Sequence, residues 1–251
     1  MGYKDLRWKF AQLSGRYDLV NPTTYEDVGA DFFFNDGQRM LDRMQETSKS
    51  LARSVSLITA GTYYKALTNV RNIQEVWVGT TAEGLVQLEQ KSLTTLRAYY
   101  EEQFADIDQG TPAYWAPACF RPYPDTQTAA AVSGYYDIGD LILDDGHYTY
   151  NGVVFTPPAD ISYYLAIFGL FHSPTLTATM NAVTEVWTET TSYWLEEHPG
   201  LLLYAALYKL ETFYRNTEGA KDWMNAMKTD LIGIDHDMAD QVSANVNQME
   251  G

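Results

Sequence analysis

The apolar residues of this chain change their spacing twice, and that change restricts the fold more than any motif does. In "NDGQRMLDRMQETSKSLARS", Met40, Leu41, Met44, Leu51 and Val55 fall on one helical stripe. Asn35 is a candidate N-cap there, with Gln38 returning a hydrogen bond to it, and the helix is expected to end near Arg53. "RSVSLITAG", "IQEVWVG" and "GLVQLEQ" are then short β-branched or aromatic runs bounded by glycine, which predict a small antiparallel sheet. "SLTTLRAYYEEQF" returns to helical spacing through Leu93, Leu96, Tyr99 or Tyr100, and Phe104. Pro112, Pro117, Pro122 and Pro124 impose an extended crossing after it.

A second β section follows. Asp145-Gly146 and Asn151-Gly152 supply the positive φ of tight hairpins and predict a three-stranded meander. "SYYLAIFGLF" is apolar on both alternating faces, so both are expected to be covered, by the chain's own core or by another chain. Residues 173–191 are rich in threonine without a clear period and read as a loop or arm.

Helical spacing then resumes. Pro199 suits a first turn, and Leu201, Leu202, Ala205, Tyr208, Leu210 and Phe213 cover more than one stripe, predicting a helix buried nearly all round. A break is expected at Gly219. Beyond it Trp223, Met227, Leu231, Ile234, Met238, Val242, Val246 and Met249 recur at helical steps, enough for one helix of about 30 residues, kinked at Gly233.

The fold expected is α+β: a helical bundle core of N-terminal helices and a C-terminal helical pair, with inserted antiparallel β sections. The expected division is 1–110 (helices with a small β section), 111–191 (β-rich insertion and Thr-rich arm) and 192–251 (helices and tail). No internal sequence repeat is evident.

Composition narrows the function. A formal net charge of -16 opposes binding to nucleic acid through its phosphates. One cysteine, Cys119, excludes an internal disulfide framework and reads as a small buried hydrophobe. The first residues hold no apolar core of signal-peptide length, Leu6 breaks the myristoylation pattern, and "YYLAIFGLF" is too short to cross a bilayer. A soluble protein of a reducing cytoplasm, without a membrane partner, is the expectation.

The chemical candidates are weak. Glu196, Glu197 and His198 precede a helix, where acids face the positive end of its dipole, and adjacent residues do not converge on one substrate. "DIDQG" (106–110) starts like a calcium loop but lacks the later glycine and glutamate. Asp235, His236, Asp237 and Asp240 read as a solvated helix face in preference to a metal site. The pairs Tyr63-Tyr64, Tyr99-Tyr100, Tyr135-Tyr136 and Tyr163-Tyr164 read first as interface and then as core. No Walker, dinucleotide, HExxH or serine-elbow motif occurs. No residue is therefore assigned a catalytic, cofactor-binding or metal-binding role.

The stretches "SGRYDLV", "ADFFFNDGQRMLDRM" and "HPGLLLYAALYKLETFYRNTEGAKDW" resemble the head-to-tail adaptor (neck or connector) proteins of tailed bacteriophages. "PAYWAPACFRPYP" and "YNGVVFTPPADISYYLAIFGLF" are similar to the larger members, which carry β sections between their helices. The resemblance implies a non-enzymatic virion protein of the neck, assembled in the host bacterial cytoplasm. It also implies a ring, typically of twelve copies, under the portal protein and above a nozzle or stopper. Double-stranded DNA passes through the lumen unbound, repelled by an acidic lining. A terminal segment commonly reaches into the portal. Trp223, Met227, Leu231, Met238, Val242, Val246 and Met249 are the candidate partner interface here. The rival readings are another neck or tail-completion protein and, from a different class, a carbohydrate-binding or carbohydrate-active protein with two carboxyls about 5 to 10 Å apart in a cleft.

Overall fold

A computed structural model describes residues 1–44, 51–100, 107–118 and 152–247, with backbone alone at 97–100 and 237–247. The fold is α+β and falls into two compact units, Met1–Ser50 with His172–Gly251, and Leu51–Phe171. This division differs from the three consecutive segments expected. Residues 1–50 and 172–251 form a single unit, the Thr-rich stretch belongs to it, and the β sections interrupt it.

In the first unit α1 (Tyr3–Ser14), α2 (Ala30–Met44) and α5 (Pro199–Phe213) carry the core, with the short α4 (Tyr193–Glu197) and the long α6 (Thr217–Asn247) around them. α5 starts with Pro199 as expected, and its Leu201, Leu202, Leu203, Ala205, Ala206, Leu207 and Leu210 are all buried. Phe213 is the exception to the expected all-round burial, being largely exposed. α2 can approach α5 closely because Gly37 has no side chain: a Cβ there would lie 2.9 Å from the Ala205 carbonyl carbon. That explains a glycine in a helix interior, where propensity alone disfavours it.

α2 begins at Ala30, five residues before Asn35, the expected cap. Asp27 Oδ1 accepts from Gly29 N at 3.0 Å and Asp31 N at 2.9 Å, so Asp27, not Asn35, satisfies the first free donors. The expected extension to Arg53 is also corrected, because residues 51–58 are a strand; residues 45–50 lie outside the described residues. The break expected at Gly219 occurs earlier, at Tyr214–Asn216, where Arg215 takes a φ of 60°. Gly219 then sits in the first turn of α6, which continues through Gly233.

The Thr-rich stretch is a hairpin, β9 (Ala178–Met180) with β10 (Trp187–Glu189). Its turn repeats a loop from the other end of the unit. Asn21 Oδ1 accepts from Thr23 N and Thr24 N, Tyr25 N donates to Asn21 O, and Asn21 N donates to Glu26 O. Asn181 makes the same four bonds, with Val183, Thr184, Glu185 and Val186. Tyr25 and Glu185 hold the matching positive φ. The shared sequence is only an asparagine with a threonine three residues on, "NPTT" and "NAVT", too little to register as a repeat.

The second unit is layered. One antiparallel sheet has the order β1-β8-β3-β4, from strands Leu51–Ile58, Tyr163–Phe171, Val70–Thr80 and Gly84–Gln87. The other has the order β2-β7-β6-β5, from Tyr64–Ala66, Gly152–Thr156, Tyr114–Pro117 and Glu89–Gln90, with β5 parallel to β6. Ile58, Val76, Val78, Leu165 and Ile167 of the first sheet pack with Trp115, Val153 and Phe155 of the second. Leu96 of α3 (Leu93–Tyr100) covers the second sheet's other side with Tyr64, Ala116 and Val154. The "YYLAIFGLF" strand lies between β1 and β3, but the expected cover on both faces is complete on one alone: Tyr163, Leu165 and Ile167 pack against the second sheet, while Tyr164 on the other face is 45% exposed. Phe104, Asp106, Cys119, Pro122, Pro124 and the Asp145-Gly146 and Asn151 turns lie outside the described residues.

Candidate functional site

The buried polar groups of the helical unit form a seam along α2. Asp31, Asn35, Gln38 and Asp42 stand at steps of four, three and four, hence on one face. Asp42 accepts from Ser173 N at 2.8 Å, Ser173 Oγ at 2.9 Å and Trp194 Nε1 at 2.7 Å, and His172 Nδ1 lies 3.7 Å away. Gln38 Nε2 donates to Pro174 O at 2.8 Å while its Oε1 accepts from Ser192 Oγ at 2.6 Å. Asn35 pairs with both backbone groups of Leu176, accepting from its N at 2.7 Å and donating to its O at 3.1 Å. Asp31 binds Arg7, whose Nη1 and Nη2 both reach Ala178 O.

The spacing has a geometric cause. Eleven helical steps from Asp31 to Asp42 rise about 16 Å, and five extended steps from Ser173 to Ala178 also cover about 16 Å. An extended segment running antiparallel to α2 therefore meets one polar side chain after another. Asn35 and Gln38, expected to cap the helix, hold backbone in its middle instead. This arrangement fixes chain path, and every member faces protein.

Arg7 is wholly buried, with Nε 2.8 Å from Asp31 Oδ1 and Nη1 donating to Tyr25 O at 3.1 Å. Tyr3 Oη donates to Asp31 Oδ1 at 2.6 Å. Burial, and then the Asp31 charge, push the Tyr3 phenol far above its ordinary value. Burial also raises the Asp31 carboxyl against the opposing pull of Tyr3 and Arg7.

The other candidates divide clearly. Glu196 and Glu197 are exposed at the end of α4, with Glu196 Oε1 accepting from Thr191 Oγ1 at 2.7 Å. His198 links α4 to α5, its Nε2 3.1 Å from Tyr193 Oη. Tyr163 points inward and Tyr164 outward, the alternation any strand imposes, so that pair forms no platform, while Tyr64 is buried with half-buried Tyr63 packed against the same cluster. Tyr99, Tyr100, Tyr135 and Tyr136 have no described side chains. Asp235 and His236 are exposed on α6, and no group of three His, Cys, Asp or Glu fit to hold a metal occurs among the described residues.

Of the candidate interface residues, Met227 and Leu231 are buried within the subunit's own core and Trp223 stacks on Tyr204 at 5.5 Å. Met227 and Leu231 are therefore covered within the subunit itself, which corrects their assignment to a partner, whereas Trp223 is only half-buried. Met238, Val242 and Val246 lie further along α6, and Met249 lies outside the described residues. α6 has 31 residues and α5 has 15, about 46 Å against 22 Å, so its second half extends past the helix that covers the first.

A further surface feature is the outer face of the β1-β8-β3-β4 sheet. Strand register places Leu51, Val55 and Leu57 beside Leu170, Ala166 and Tyr164, and these beside Asn72, Trp77 and Gly79, with Leu85 next to Gly79. Opposed residues share a face, so this is the side of the sheet turned away from the second sheet. Leu51, Val55, Leu57, Tyr164 and Leu85 are 42–58% exposed on it, with the exposed charges of Arg53 and Glu75 flanking Phe168 in their midst. The sign was present in "LARSVSLI", whose leucines and valine all fall at odd positions.

No family model matches the chain, and no curated protein matches it significantly. No described helix is long and apolar enough to cross a membrane.

Proposed function

We propose that this protein is a structural ring subunit, the head-to-tail adaptor of a tailed bacteriophage. It extends the DNA channel beneath the portal and offers a docking surface to the next component of the tail, in a virion neck of twelve copies. The observation that carries the reading is the outer face of the β1-β8-β3-β4 sheet. Five large apolar side chains stand in water there, a liability in an isolated subunit and an asset in one that is covered by copies of itself. Subunits that repeat one heterologous contact form a ring when the rotation between neighbours closes.

Two further features support it. The stretches resembling adaptor proteins include α2 and α5, the packed helices of the first unit, so the likeness lies in structural elements. The charge of -16 lets a lumen pass duplex DNA by repulsion without holding it.

The test is the native mass of the purified protein, alone and mixed with the portal protein of its phage. A closed oligomer that binds the portal is expected. A monomer that ignores the portal and binds oligosaccharide instead would end this reading.

A further inference from the structure

Arg215, Lys221 and Lys228 line one open groove of about 440 Å³ at the junction of α5 and α6, together with Tyr208, Ala220 and Met224. None of its lining residues is a carboxylate. Among the described residues, none of the three cations takes part in an ion pair, although the chain holds 33 Asp and Glu against 17 Lys and Arg. In so acidic a protein, three unmatched cations around an apolar floor select an anionic partner with apolar side chains of its own.

That chemistry recurs further along α6. After Lys228 the sequence has no Lys or Arg, while Asp230, Asp235, Asp237 and Asp240 follow, interleaved with Met238, Val242 and Val246. α6 runs unbroken to Asn247, so Asp240 stands about 18 Å beyond Lys228 along the axis. A continuous helix does not fold back on its own first turns. The acidic half of α6 reaches such a groove only on a different molecule.

We infer that the α5–α6 groove receives the acidic second half of α6 from a second copy of this chain. Groove and tail are different surfaces, so each copy uses both and the contact propagates from subunit to subunit. The inference deepens the ring reading and rests on it for closure. The contact itself needs no portal.

The test uses the full chain and its native mass at about 0.1 M salt, where a surface contact of this kind is only partly screened. Lys221 and Lys228 are exposed, so Lys221→Glu with Lys228→Glu is expected to keep the helical circular dichroism and weaken self-association at least about tenfold. Asp237→Lys with Asp240→Lys should do the same. Mixed together, the two variants offer each other opposite charges at both surfaces, so the mixture should reassemble where neither does alone. Assembly of the Lys221→Glu, Lys228→Glu protein like the wild type, or a mixture that stays dissociated, overturns the contact. So does duplex DNA binding that the Lys221→Glu, Lys228→Glu protein loses while its self-association persists. Reassembly of the mixture without any binding to portal would leave the contact standing and remove the adaptor reading. A wild-type monomer that still binds portal would do the reverse.

Discussion

Among the described residues, the helical unit buries Arg7, Gln38, Asp42 and Ser192 in its interior, whereas the β unit buries one polar side chain, Thr156. The β unit instead turns outward a sheet face rich in large apolar side chains. Hydrogen bonds are directional and costly to leave unmade, so the α2 seam admits one register of the segment it holds. Apolar burial is non-directional, so a bare sheet face says that something covers it and little about which way round. One unit fixes its own chain path from within. The other leaves some of its surface for an assembly to bury, and charge, as in the groove of α5 and α6, can supply the direction that the apolar face lacks.

The contrast breaks most severely if an inward position of the helical unit proves tolerant. Leu202 is wholly buried in α5. Leu202→Asp places an unpaired charge there at a cost of several kcal/mol, comparable to the whole stability of a typical domain of about 5–15 kcal/mol. The expected outcome is insoluble protein or loss of the helical circular dichroism. A soluble, assembly-competent variant would show the core to be elsewhere.

Next in size is Asp42→Ala. It strips the acceptor from Ser173 N and Trp194 Nε1 together, and a buried donor left unmade costs about 1–3 kcal/mol. A loss of about 3 kcal/mol is expected from the urea midpoint. A change under about 0.5 kcal/mol, the range of ordinary surface substitutions, would mean that the seam is ornamental to stability.

The elements legible beforehand were those whose signals are local. Pro199 and the dense leucines of α5 required a buried helix starting where it does, whereas the all-apolar strand at 163–171 asked for cover on both faces and the subunit supplies it fully on one. The start of α2 was not legible, because Asp27 and Asn35 are both good capping residues and only tertiary partners show that Asn35 is occupied with Leu176. Leu51 and Val55 were drawn into a helical stripe for a related reason. A spacing of four fits one turn of helix and two repeats of a strand equally well. Burial of Met227 and Leu231 by α5 was likewise out of reach, since helical period marks an apolar face without naming what it faces.

A smaller effect sharpens the inward half of the comparison through pH. The Tyr3 phenol is held well above its ordinary 10.0, so the folded state keeps a proton that the unfolded chain releases. Its contribution to stability is therefore complete below pH 10 and falls above it, by about 1.4 kcal/mol per pH unit until the folded group ionises. Tyr3→Phe should lose about 1 kcal/mol near neutrality with the Asp31 hydrogen bond, and then show an alkaline slope shallower by one proton. Equal slopes in the two proteins would place Tyr3 in water.

The smallest expected change in stability belongs to the outer sheet face and separates the two units most sharply. Leu57 is 58% exposed and opposite Tyr164, so Leu57→Asp buries no charge in an isolated subunit. Its denaturation midpoint should shift by no more than about 0.5 kcal/mol, as for other surface positions. In an assembly that covers this face, the same carboxylate loses its water without gaining a partner, and self-association should fall by at least about tenfold. The same chemical change, leucine to aspartate, would thus destroy folding at Leu202 and spare it at Leu57 while removing assembly. If Leu57→Asp unfolds the β unit, the face is core that the subunit itself covers. If it alters neither folding nor mass, the apolar face plays no role in joining copies, and the ring proposal loses the observation on which it chiefly stands.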